Sequence, residues 1–125
     1  MHFKNLGQPV ILTELMKHAY TDEGEAAWPR SQALSLISIM TSNSIAVMGG
    51  EIWIPEVGGP IIPAPFIYTW TSPDYQPDLE TWNAYVERAN RDAQDYVETF
   101  AWDPQDVGFR DKEPYFTMTF LTQAG

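Results

Sequence analysis

Apolar and polar positions along the chain follow two periods, one helical and one of strands. Pro9 is followed by Ile11, Leu12, Leu15, Met16 and Ala19 at helical spacing. Proline suits a first helical turn, where its missing N–H would have no partner. A helix is expected over 9–19. Residues 21–27 are polar and acidic and include Gly24, which reads as a loop. A second helix is expected from about Pro29. It carries Ala33, Leu34, Ile37 and Met40 on one stripe, with Leu36 at its edge, and stops at the turn-forming run Thr41-Ser42-Asn43-Ser44.

Ile45 to Ile54 reads as a strand, and Gly49-Gly50 in its middle marks a bulge or a close backbone approach. Residues 55–65 hold four of the ten prolines, which excludes a central strand or a helix interior and predicts a hairpin connection or an irregular loop. Phe66 to Thr71 reads as a second strand. Asp78 is placed to cap a long helix over 79–100, along which Trp82, Tyr85, Val86, Ala89, Ala93, Tyr96, Val97 and Phe100 form one apolar stripe. The opposite face offers Glu87–Arg91, Arg88–Asp92 and Arg91–Asp95 as surface pairs. Residues 103–114 read as a loop. Tyr115 to Leu121 alternates, with Phe116, Met118 and Phe120 on one side.

This order predicts a single α+β domain over 1–125, a usual size for one domain, with no repeat or linker to divide it. The expected architecture is a small, mostly antiparallel sheet packed against two N-terminal helices and one long helix in the C-terminal half. The long helix is expected to cover the Phe116/Met118/Phe120 face.

Charge narrows the function classes. The chain has 17 acidic and 7 basic residues, a net charge of −10. Phosphate contacts need Lys and Arg, so nucleic acid is not an expected partner, and an anionic membrane surface would repel the chain. The imbalance is concentrated: residues 45–125 carry thirteen acids and four bases. That asymmetry favours an acidic face for a basic partner, against the plain alternative that negative charge serves solubility. No apolar run resembles a signal peptide or approaches a membrane span, so a cytoplasmic location is expected.

Candidate chemistry is sparse. The chain has no cysteine, which excludes disulfides, thiolate metal sites and a cysteine nucleophile. His2 lies near the terminus, and His18 sits where a histidine favourably meets a helix C-terminus. Neither has a partner set for catalysis or metal binding, and no cofactor is expected. Glu51 with Asp103 is the one carboxylate pair worth naming for a carbohydrate-active hydrolase. With so many acids such a coincidence is cheap. Gly49-Gly50 lacks the strand–glycine–helix order of a phosphate loop. A scaffold or regulatory subunit is the third reading. The aromatic content is the distinctive feature: Trp82, Tyr85, Tyr96 and Phe100 fall on the helix stripe, while Trp28, Trp53, Tyr68, Trp70, Tyr75 and Trp102 lie near loops. Loop aromatics rimmed by acids describe either a protein-binding patch or the edges of a small core.

The segment Ile45-Ala46-Val47-Met48-Gly49-Gly50-Glu51-Ile52-Trp53, preceded by the helix Ala33-Leu34-Ser35-Leu36-Ile37, resembles the immunity protein 40 family of bacterial polymorphic toxin systems. Further matching features are the aromatic Trp70 after a variable loop, and Tyr96-Val97 with Phe100 closing the long helix. The likeness runs from about Ile11 to Phe120. It implies a non-catalytic protein that binds and neutralises a cognate toxin. Glu51 follows from the shared motif as a toxin-binding candidate. Loop position and charge add Asp74, Asp78, Glu80, Asp103 and Asp106, and Trp53, Tyr68 and Trp70 are the expected aromatic anchors. A basic toxin, such as a nuclease, fits such a surface.

Overall fold

Three side chains in one row across neighbouring strands, Trp28, Phe116 and Ile52, are fully buried and anchor the sheet. The computed structural model describes residues 20–22, 25–55, 61–63, 68–108 and 110–123. In chain order they form β1 (Tyr20–Asp22), β2 (Glu25–Pro29), α1 (Arg30–Ser42), β3 (Ile45–Pro55), β4 (Ile61–Pro63), β5 (Thr69–Thr71), α2 (Trp82–Thr99), β6 (Tyr115–Thr117) and β7 (Thr119–Thr122).

All pairings are antiparallel, in the order β1-β2-β6-β3-β4. Strand β3 spans the whole sheet. Its first half pairs with β7 on one side and β5 on the other; its second half pairs with β6 and β4. Alternation along β3 sends Ile52 and Ile54 toward the helices and Trp53 to the other face, where it is buried with Ala27 beside Tyr115.

The class is α+β, but the expected three-helix arrangement needs correction. Among the described residues there are two helices, one before and one after the middle strands. The helix expected over 9–19 lies outside the described residues. The loop expected over 21–27 is instead the β1–β2 hairpin, which adds an outer edge to the sheet. Ala26, Ala27 and Trp28 drive it: all three are fully buried, a gain that outweighs the local turn signal of the acidic residues. The proline-rich stretch contributes β4, a sheet-edge strand, where a missing N–H does least harm.

Helix α1 buries Ala33, Leu36, Ile37 and Met40, with Leu36 rather than Leu34 on the stripe. Helix α2 begins at Trp82, not at 79. Its cap is Thr81, whose Oγ1 accepts from the Ala84 N–H at 3.2 Å. Asp78 lies instead in a turn that Gln76 closes by accepting from the N–H groups of Leu79 and Glu80. Helix α2 packs on α1 and β3, while α1 reaches β2, β3 and β6. The buried Phe116/Met118/Phe120 face therefore lies under both helices rather than the long one alone. Arg30, the first residue of α1, locks the two together. Its guanidinium donates to the terminal carbonyls of α2, at Val97, Glu98 and Phe100, and lies over the Phe116 ring. Those carbonyls have no intrahelical donor, and a cation suits the negative end of the helix dipole. No helix among the described residues is long and apolar enough to cross a membrane.

Candidate functional site

Strand β3 changes register at its centre. Val47 faces Phe120 and Gly49 faces Thr119, so Met48 is the extra residue of a bulge. Gly49 has φ 138°, and a Cβ there would lie 2.3 Å from the Trp70 carbonyl oxygen. A Cβ on Gly50 would lie 1.9 Å from the Thr117 carbonyl oxygen. Neither position accepts a side chain. Over the two glycines the sheet holds a cleft of about 320 Å³, bordered by Glu51, Thr69, Trp70, Thr71, Thr117 and Thr119. The Glu51 N–H donates to Thr117 Oγ1 at 2.8 Å, while the Glu51 side chain is exposed. Among the described residues Glu51 is the one charged residue lining the cleft. A glycosidase needs two carboxylates flanking the bond, and among the described residues a single one lines this cleft. The glycines sit within a strand that continues to Pro55, not at a helix start, so the phosphate-loop order is absent as well.

Beyond β5 an aromatic array runs to the C-terminal end of α2. Trp70 stacks on Tyr96 at 5.0 Å and 18° between planes. Phe100 meets Tyr96, Tyr68, Trp102 and Phe116, the last three edge-on. The Tyr68 hydroxyl donates to the Asp106 carboxylate and accepts from the Asp103 N–H at 3.0 Å, tying the loop after α2 to the sheet. The Asp106 bond and burial raise the Tyr68 phenol above its ordinary range. Asp103 Oδ1 accepts from the Gln105 N–H at 2.9 Å.

The remaining acids lie at the other end of α2, roughly 27 Å away along an 18-residue helix. Asp74 and Asp78 are exposed. Glu80 is held in a two-point pair by Arg88, at 2.7 and 3.1 Å, which keeps its carboxyl below the usual range. Arg88 also lies over the Tyr85 ring, within a cluster of Tyr75, Trp82 and Tyr85. It turns to Glu80 rather than to Asp92. Among the described residues the ion pairs are Arg88–Glu80 and Arg110–Asp111.

The nine candidate residues therefore separate. Glu51 and Trp70 border the cleft, Tyr68, Asp103 and Asp106 form a hydrogen-bonded group past the C-terminal end of α2, and Asp74, Asp78 and Glu80 lie apart. Trp53 and Tyr68 are 3% and 8% exposed, and Trp28 and Trp102 are buried too. Loop-adjacent aromatics here mostly close the core, because they stand on inward strand positions or in loops folded back onto it. Trp70 and Tyr75 keep partial exposure. Two residues central to β3 carried no motif. Asn90 of α2 accepts from the Val47 N–H at 2.7 Å and donates to the Ile45 carbonyl at 2.9 Å. Ser72 donates through Oγ to the Val47 carbonyl at 2.6 Å. The visible signal was an asparagine falling on the apolar stripe beside Ala89 and Ala93.

No curated protein and no solved structure matches the chain. The family model described as Immunity protein 40 does match, over residues 17–120. That stretch includes the bulged Gly49-Gly50 strand, its Glu51 and the long helix packed against it, so the chain belongs to the Immunity protein 40 family.

Proposed function

We propose that the chain binds a cognate toxin and neutralises it by covering the toxin's working surface. Family membership supports an immunity role and a non-enzymatic one. The observation that carries the binding mode is the state of the acids. Glu51, Asp74, Asp78, Asp103 and Asp106 have no ion-pair partner among the described residues, while residues 45–125 carry thirteen acids against four bases. Such a field speeds and orients encounter with a basic partner. A nuclease, whose substrate cleft must be basic to hold phosphate, fits this surface. We place the contact on the side formed by Glu51, the exposed edge of Trp70, Asp103 and Asp106. Tyr68 and Trp53 serve it from beneath, by fixing the loop and the sheet, while Glu80 holds the turn before α2, away from this contact.

The test is co-expression with the cognate toxin domain, in cells that the toxin alone kills. Wild type restores growth. A variant combining Asp103→Asn and Asp106→Asn, checked for an intact fold, protects less, and its complex loses less affinity as salt is raised. Failure of the wild type to bind or protect overturns the reading.

A further inference from the structure

We infer that the cleft over Gly49 and Gly50 is a socket for one basic side chain, a lysine or arginine presented by the bound partner. The inference rests on the toxin-binding reading and names the chemistry of one contact within it. The cleft has the size of a side-chain or small-ligand pocket, about 320 Å³. Among the described residues its lining combines four threonines with Met48, Trp70 and Met118 and carries a single charge, the Glu51 carboxylate. Thr69, Thr71 and Thr119 are exposed there, and Thr119 Oγ1, which donates to the Gly49 carbonyl at 3.4 Å, keeps its oxygen lone pairs for a donor. Thr117 Oγ1 is already engaged by the Glu51 N–H, which fixes the backbone from which the carboxylate projects.

An anion would meet Glu51 unopposed, and a neutral apolar group would strip water from the carboxylate and hydroxyls without replacing their hydrogen bonds. A cation satisfies both. Guanidinium and ammonium groups donate several hydrogen bonds and accept none, which suits a rim of acceptors. The stem of the side chain would lie over the glycines, where no Cβ projects.

The test has two arms. In the first, amide spectra of the full chain are followed during titration with acetyl-arginine-amide, acetyl-lysine-amide and the uncharged acetyl-citrulline-amide. The cationic probes should give saturable shifts centred on residues 49–51, 69–71 and 117–119. Citrulline should give none, and Glu51→Gln should abolish them. Shifts scattered over the acidic surface, equal shifts from citrulline, or shifts that survive Glu51→Gln overturn the inference. In the second arm, Glu51→Gln and Thr119→Val are compared with wild type for affinity to the toxin domain. Losing one partner of an enclosed, hydrogen-bonded charge pair should weaken binding by roughly 30-fold, mainly through faster dissociation. Wild-type protection together with unchanged affinity of Glu51→Gln sinks the socket and leaves the immunity reading standing. Absent wild-type protection sinks that reading, and the probe titration still decides the socket.

Discussion

Asn90 offers the sharpest test of how this fold closes its central strand. It is 1% exposed on α2, and its carboxamide faces the edge of β3 just before the short β5 pairing begins. There it acts as a substitute strand: Oδ1 takes the Val47 N–H at 2.7 Å, and Nδ2 gives to the Ile45 carbonyl and to Thr41 Oγ1, both at 2.9 Å. Asn90→Ala removes all three bonds and leaves a buried backbone donor and acceptor without partners. Each costs about 1–3 kcal/mol, so the loss should be about 3–4 kcal/mol. That is a large part of a typical stability of about 5–15 kcal/mol. The assay is urea unfolding followed by tryptophan fluorescence and far-ultraviolet circular dichroism. At an m-value near 2 kcal/mol/M the midpoint should fall by roughly 1.5–2 M. Gln94→Ala, one turn further along at the surface, should cost less than about 0.5 kcal/mol. Asn90→Asp sharpens the test. It keeps one acceptor but turns the donor into a second acceptor facing the Ile45 carbonyl. The introduced carboxyl should have its folded pKa raised by burial and by that carbonyl. Its stability deficit should therefore shrink as pH falls below the raised value, where the protonated form can donate again, and return as pH rises through it. If Asn90→Ala costs no more than Gln94→Ala, the substitute-strand argument is wrong.

Other outcomes follow from the same structure. Gly50→Ala drives a methyl against the Thr117 carbonyl, which is backbone and cannot swing aside, so it should cost about 3 kcal/mol or more. An amide spectrum that keeps wild-type dispersion, with an unchanged unfolding midpoint, would refute that close approach. Arg30→Met strips the terminal carbonyls of α2 of a charged donor and should cost about 2 kcal/mol by urea unfolding. Arg30→Lys should recover only part, since one ammonium cannot reproduce the planar fork. Tyr68, through its bond to Asp106, and Tyr85 and Tyr96, through burial, hold their phenols above the ordinary range. Their contribution to stability is complete below about pH 10 and is lost as pH rises through the folded values. Absorbance titration should show this late-ionising group, with unfolding accompanying it, and Tyr68→Phe should remove one member.

Much of the local structure was legible because its causes are local. The stripe from Trp82 to Val97 could only be helix, since that spacing places apolar atoms on one face. The single alternating strand expected over Tyr115 to Leu121 instead divides at Met118 into β6 and β7, with Phe116, Thr117 and Met118 buried in succession. Gly49-Gly50 announced a backbone anomaly, because glycine inside a strand is otherwise a loss. The family resemblance rested on that same motif. The site was less legible. Exposure depends on what packs over a residue, so Trp53 and Tyr68 were expected as surface anchors and are buried. Glu80 looked like a free acid until Arg88 folded back on it.

By itself the sequence determined the periodic elements, the acidic second half and the glycine pair whose surroundings tolerate no side chain. Tertiary structure alone decided the rest. The Ala26–Trp28 segment became a hairpin because burying those residues against β6 outweighed a weak local preference for loop. Asn90 became a strand surrogate because α2 happens to cross β3 where β5 falls short. The cleft beside Glu51 exists only because β3, β5 and β7 meet at the bulge, and such non-local packing leaves no periodic trace along a single chain.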